Sequence, residues 1–114
     1  MLTPLRGIAG ALSTLVLASC DPGFDFRGRI ANSDDKPIAD AKARVTCDGN
    51  VQFSAISDQE GRFSNHGIGW RPNTCFIEID APGRQTLRLS VKDHCSNPHG
   101  GDACLGVWLD VVLP

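Results

Sequence analysis

Leu105-Gly106-Val107-Trp108-Leu109-Asp110-Val111-Val112-Leu113 sets Leu105, Val107, Leu109, Val111 and Leu113 against Gly106, Trp108, Asp110 and Val112. A period of two sends the two sets to opposite faces of an extended chain, so the stretch reads as a β-strand with one buried side. The same period recurs upstream. Phe24, Phe26, Gly28 and Ile30 alternate with Asp25, Arg27 and Arg29, and apolar alternation returns in Ala43/Val45/Cys47, Val51/Phe53/Ala55, Cys75/Ile77/Ile79 and Leu87/Leu89/Val91. With a run over 62–65 these make seven short strands, divided by turn-rich clusters at 32–37, 47–50, 57–61, 67–73, 81–83 and 97–102. Apart from a brief turn over 39–43, nothing beyond residue 20 carries a helical stripe. The pattern predicts a mainly β fold, a two-sheet, seven-stranded antiparallel β-sandwich.

The chain has 114 residues, 41% apolar and 21% charged, enough for one small domain and too little for a multidomain enzyme. Its net charge of -2 supplies no cationic surplus for a phosphate backbone, so no nucleic-acid partner is expected. The opening residues read separately. Arg6 precedes an uncharged run over 8–18 that is too short to cross a bilayer as a helix. It ends in Leu17-Ala18-Ser19-Cys20, which resembles the lipobox of bacterial lipoprotein signal peptides. That resemblance implies a cleaved leader over 1–19, a mature domain over 20–114, and a lipid on Cys20 that holds the protein to a membrane facing the periplasm. Asp21 resembles the inner-membrane retention signal of enteric lipoproteins, and no twin arginine is present.

A family resemblance rests on two stretches. Gly28-Arg29-Ile30, the turn Asp35-Lys36-Pro37-Ile38 and then Ala39 to Val45 resemble the opening of carboxypeptidase regulatory-like domains. Ser57-Asp58-Gln59-Glu60-Gly61-Arg62-Phe63 and Ala81-Pro82-Gly83-Arg84 resemble that family's later motifs. The resemblance implies a transthyretin-like (prealbumin-like) sandwich serving as an accessory or binding module. Locally, Gly61 suits a turn with positive φ, Pro37 presets φ before a strand, and Phe63 fills the core.

Beyond Cys20 stand Cys47, Cys75, Cys95 and Cys104, an even number with three possible pairings. Cys47 and Cys75 fall on inward faces of strands, while Cys95 and Cys104 bracket a Pro/Gly-rich loop, so the pairs expected are 47 with 75 and 95 with 104. The alternative is a soft-metal site from His94, Cys95, His99 and Cys104. Its spacing matches no standard zinc pattern, and oxidation competes for the thiols.

No nucleophile elbow, metalloprotease motif or Gly-rich phosphate loop occurs, and the acidic turns lack calcium-loop spacing, so no catalytic residue, metal or cofactor is expected. Trp70 and Trp108 are the candidate anchors of a binding surface, with Trp108 expected to lie under the cysteine-bridged loop. Outward Arg27, Arg29, Arg44 and Arg88 read as a solvated sheet face. The function expected is a lipid-anchored, non-catalytic envelope module, structural or holding an envelope protein or ligand. The alternatives are a metal-binding envelope lipoprotein using residues 94–104 and a small transthyretin-like hydrolase.

Overall fold

Alternate residues turned inward, and aromatic rings among them, decide how the strands stack. The computed structural model describes residues 23–69, 71–72, 74–97 and 103–114. Its strands are β1 (Gly23–Asn32), β2 (Lys42–Cys47), β3 (Asn50–Ile56), β4 (Arg62–Ile68), β5 (Arg71–Pro72), β6 (Phe76–Asp80), β7 (Leu87–Ser90), β8 (Ala103–Cys104) and β9 (Gly106–Leu113), with one helical turn, α1 (Val91–His94). A three-stranded sheet in the order β4-β1-β9 lies against a four-stranded sheet in the order β3-β2-β6-β7, and β5 pairs with β8 at the margin. The two-sheet sandwich read from the alternation is the architecture present.

Phe24, Phe26, Ile30, Val45, Ile77, Ile79, Val107 and Leu109 fill the space between the sheets. The Phe24 ring stacks on Phe53 at 5.2 Å, and Phe26 meets Phe63 at 5.1 Å. Each such ring contributes about 2–3 kcal/mol by leaving water. Gly28 permits a close approach that underlies the site below, since a Cβ on it would stand 2.3 Å from the Leu109 carbonyl oxygen.

The turn between β3 and β4 is built by Ser57 and Asp58. Buried Ser57 donates its hydroxyl to the Ile38 carbonyl at 2.7 Å and accepts the Ala41 N–H at 2.9 Å, tying the entry of β2 to the exit of β3. One Asp58 carboxylate oxygen accepts the Glu60 and Arg62 N–H groups, and Gly61 takes the positive φ of 77° that the turn requires.

Four details differ from the sequence reading. β1 and β9 run parallel, with Asp25 opposite Gly106 and Asn32 opposite Leu113, and the connection between them passes through both sheets, β2 to β8. Val51 is 56% exposed: the register shifts between Val45 and Thr46, so Val45 faces Phe53 while Thr46 faces Val51, and this irregularity turns the start of β3 outward. The seventh strand stops at Ser90, and buried Val91 opens α1 instead, with its N–H donated to the Cys75 carbonyl. The 39–43 segment makes no helical turn; Asp40 sits at φ 62° and is held through Ser57.

Both cysteine pairs are joined, Cys47 to Cys75 and Cys95 to Cys104, with Cα atoms 4.5 and 6.0 Å apart. The first links β2 to the entry of β6 within one sheet. The second ties the end of α1 to β8, beside the point where Cys95 bridges to Val107 of β9.

Candidate functional site

Because Phe24, Phe26, Gly28 and Ile30 point into the core, Asp25, Arg27 and Arg29 of the same strand must point out. Register then decides their neighbours. Arg27 lies between Ser64 of β4 and Trp108 of β9, Arg29 between Arg62 and Asp110, and Asp25 between His66 and Gly106. An open groove of about 720 Å³ runs over this face and reaches Ile56 and Asp58 beyond β4. Trp108 is 58% exposed, and the Arg27 guanidinium stands 5.7 Å from its ring centroid.

Three guanidinium groups face the groove, each held at the rim by a carboxylate. Arg27 pairs with Asp25 at 2.5 Å, Arg29 with Asp35 at 2.9 Å and Arg62 with Glu60 at 3.5 Å. The hydrogen bond to Asp35 holds the Arg29 pKa above its ordinary value, with the charges of Asp35 and Asp110 adding to it against a smaller cost of burial. Each guanidinium carries five donors, so these contacts leave N–H groups for a ligand.

Trp108 is therefore open, where the sequence reading expected it to be covered. The bridge sits at the edge of β9, where Cys95 pairs with Val107. The four outward arginines divide between two surfaces. Arg27 and Arg29 belong to the groove, whereas Arg44 pairs with Asp80 at 2.5 Å and Glu78 at 3.7 Å on the other sheet, where Arg88 lies 3.8 Å over the Phe76 ring. Arg62, Ser64, Asp110 and Ile56 were not singled out by the sequence; the outward parity of strands β4 and β9 is the signal that could have found the first three, while Ile56 ends β3. Trp70, Cys20 and His99 lie outside the described residues.

The metal-site alternative over 94–104 is corrected by the sulfur chemistry. Cys95 and Cys104 are bonded to each other and offer no thiolate, and the His94 Nδ1 stands 3.0 Å from the Ser90 carbonyl. Among the described residues no group of three His, Cys, Asp or Glu side chains is placed to hold an ion.

No family model and no curated protein matches the chain. Solved structures do. Hydroxyquinol 1,2-dioxygenase from Pseudomonas putida DLL-E4 superposes with a TM-score of 0.54 at 17% identity, covering 82% of this chain and 56% of its own. Chlorocatechol 1,2-dioxygenase from Pseudomonas putida gives 0.54 at 13% identity, with 82% and 60% covered. The fold is one that dioxygenases use. The dioxygenase domain of a dioxygenase carbohydrate-binding protein fusion from Streptomyces sp. SirexAA-E agrees, at 0.53 and 15% identity over 82% of this chain and 80% of that domain. The chain thus spans a little over half the length of the first two.

These neighbours overturn the carboxypeptidase regulatory-like reading. Its motif residues make a tight turn at Gly61, a β-bridge at Pro37 and a core contact at Phe63, local requirements that other sandwiches share. The non-catalytic module and the transthyretin-like hydrolase rested on that family and fall with it, since the solved structures that share the fold are dioxygenases. Oxidation by dioxygen relies on a metal or an organic cofactor. The donor set of the described residues does not fit a metal, with four cysteines in disulfides and His66 and His94 on different elements. No step of such chemistry is assigned to them.

Proposed function

We propose that this chain is the substrate-holding sandwich of a ring-oxidising enzyme and takes a planar, oxygen-bearing aromatic molecule against Trp108. The observation that carries the reading is the exposed Trp108 ring beside Arg27 in an open groove. A flat ring stacks on an indole face, and guanidinium N–H groups complement phenolic oxygens. The substrates in the names of the hydroxyquinol and chlorocatechol dioxygenases support this class of ligand.

In a Trp70→Phe variant Trp108 is the one tryptophan left. Anaerobic titration with catechol or hydroxyquinol is expected to quench its fluorescence saturably. By calorimetry on the otherwise intact chain, Trp108→Ala should weaken binding by about 2–10-fold, the value of one aromatic contact. A linear, non-saturating response, or equal affinity in the Trp108→Ala protein, would refute the reading.

We further propose an exported location facing the periplasm, with Cys20 acylated. The charged start and apolar run before Cys20 support it, as do two disulfides, which persist in oxidising compartments. The protein is expected to fractionate with membranes, and Cys20→Ala to release it. Cytosolic protein that begins at Met1 would rule the location out.

A further inference from the structure

We infer that the open edge of β9 is an interface between two copies of this chain, paired antiparallel about a two-fold axis at Val111 so that their outer sheets join into one. The inference stands apart from the choice of ligand for the groove.

Among the described residues the other edges of the two main sheets are closed or short. β3 and β4 are stitched together where the Asn65 side-chain amide donates to the Ser54 carbonyl at 2.8 Å, and β7 has four residues and runs into α1. β9 has eight residues, and its outer edge is met at its start alone, by Cys95 and Ser96 against Val107 and Gly106. Soluble proteins blunt such edges with lysine, proline or a bulge. From Trp108 to Leu113 there is no lysine or proline, and the register with β1 runs without a shift.

The main chain shows which groups the edge offers. Leu105 turns its carbonyl toward β1, where it accepts the Asp25 N–H, while the Gly106 carbonyl accepts the Ser96 N–H from the opposite side. Successive residues of a strand alternate in this way, so Asp110 and Val112 direct their N–H and C=O groups to the open edge. Their side chains lie on the outer face with Trp108, and Val112 is 60% exposed.

Charge selects the register. Pairing centred on Asp110 would set two carboxylates directly opposite each other, which destabilises a sheet. Pairing centred on Leu109 would need Gly106, whose carbonyl is taken by Ser96. Pairing centred on Val111 avoids both. Asp110 then exchanges both main-chain hydrogen bonds with the partner's Val112, and the two-fold repeats the exchange. Trp108 comes opposite the partner's Pro114 and diagonal to the partner's Val112, within reach of an aromatic side chain. The strand's own sequence thus supplies the apolar cover that Trp108 and Val112 lack in one copy. Both grooves lie on the same side of the six-stranded sheet that results.

Sedimentation equilibrium of the full chain in mild detergent, from about 1 to 500 µM, tests this, since a single strand edge is a small interface and dissociation in the micromolar range is expected. Val112→Asp sets like charges opposite each other twice and should weaken the dimer at least about tenfold, whereas Val112→Lys faces the partner's Asp110 and should stay within about threefold of the parent. Adding Asp110→Lys to Val112→Asp should restore association. Circular dichroism checks that all the variants fold, as expected for exposed positions. A parent chain that is monomeric throughout overturns the inference and leaves the edge to a different protein. Equal loss in the Asp and Lys variants, or association unchanged in Val112→Asp, overturns it by placing the contact elsewhere.

Discussion

Full reduction of the two disulfides is expected to lower the melting temperature by roughly 25–40 °C, which for a domain of this size means unfolding near ordinary temperatures. Closing loops of 28 and 9 residues removes about 3 kcal/mol of unfolded-chain entropy apiece in the chain-entropy model. One kcal/mol moves the melting point of a small domain by about 4–8 °C. The Cys47–Cys75 link closes the second sheet between β2 and β6. The Cys95–Cys104 link pins α1 beside β9, the strand that carries Trp108. Circular dichroism melts with and without reductant measure the drop, with mass spectrometry confirming four free thiols. Replacing one pair by serine should produce about half of it. An unchanged melting point in fully reduced protein would contradict the account.

Phe26→Ala is expected to cost about 3–5 kcal/mol, a large share of the roughly 5–15 kcal/mol that holds a typical domain folded. The ring is fully buried and packs against Phe63 at 5.1 Å, so truncation loses both the transfer energy and the contacts of a cavity that rigid neighbouring strands cannot close. Arg27, the next residue, points the opposite way into the groove, and Arg27→Ala should change stability by less than about 1 kcal/mol. Urea unfolding of the two variants compares them directly. Similar losses in both would mean that β1 does not present its even positions to the core.

Much of the sandwich was legible because its signals are local. The alternation of β9, the inward Phe24 and Phe26, the Asp58–Gly61 turn and the two cysteine pairs each depend on spacing within a few residues, or on parity along a strand. What escaped depends on partners far apart in the chain. Arg27 meets Ser64 and Trp108 only through the registers β1 keeps with β4 and β9, and no short window contains that information. The parallel run of β9 is hidden for the same reason, since alternation looks identical in either direction. Val51 kept the correct parity on paper and lost its burial to an extra residue, Gln52, beside it in the β2–β3 pairing. The family resemblance misled because it was carried by Gly61, Pro37 and Phe63, residues chosen for turn and core geometry, and these say little about which outer face carries the chemistry.

The parallel pairing of β1 with β9 has a consequence in time. Asp25 finds its neighbour at Gly106, about eighty positions later, so the central strand of its sheet cannot be flanked on both sides until nearly the whole chain is available. A ribosome or export channel delivering residues in order presents Phe24, Phe26 and Ile30 long before that partner emerges. Such high contact order places folding in the millisecond-to-second range and not among the fastest folders, because the entropy of a long closure is lost before native contacts repay it. During the interval one edge of β1 is open to a chaperone or to another nascent copy. In the exported location proposed above, the same delay would leave the chain threadable until translocation has finished.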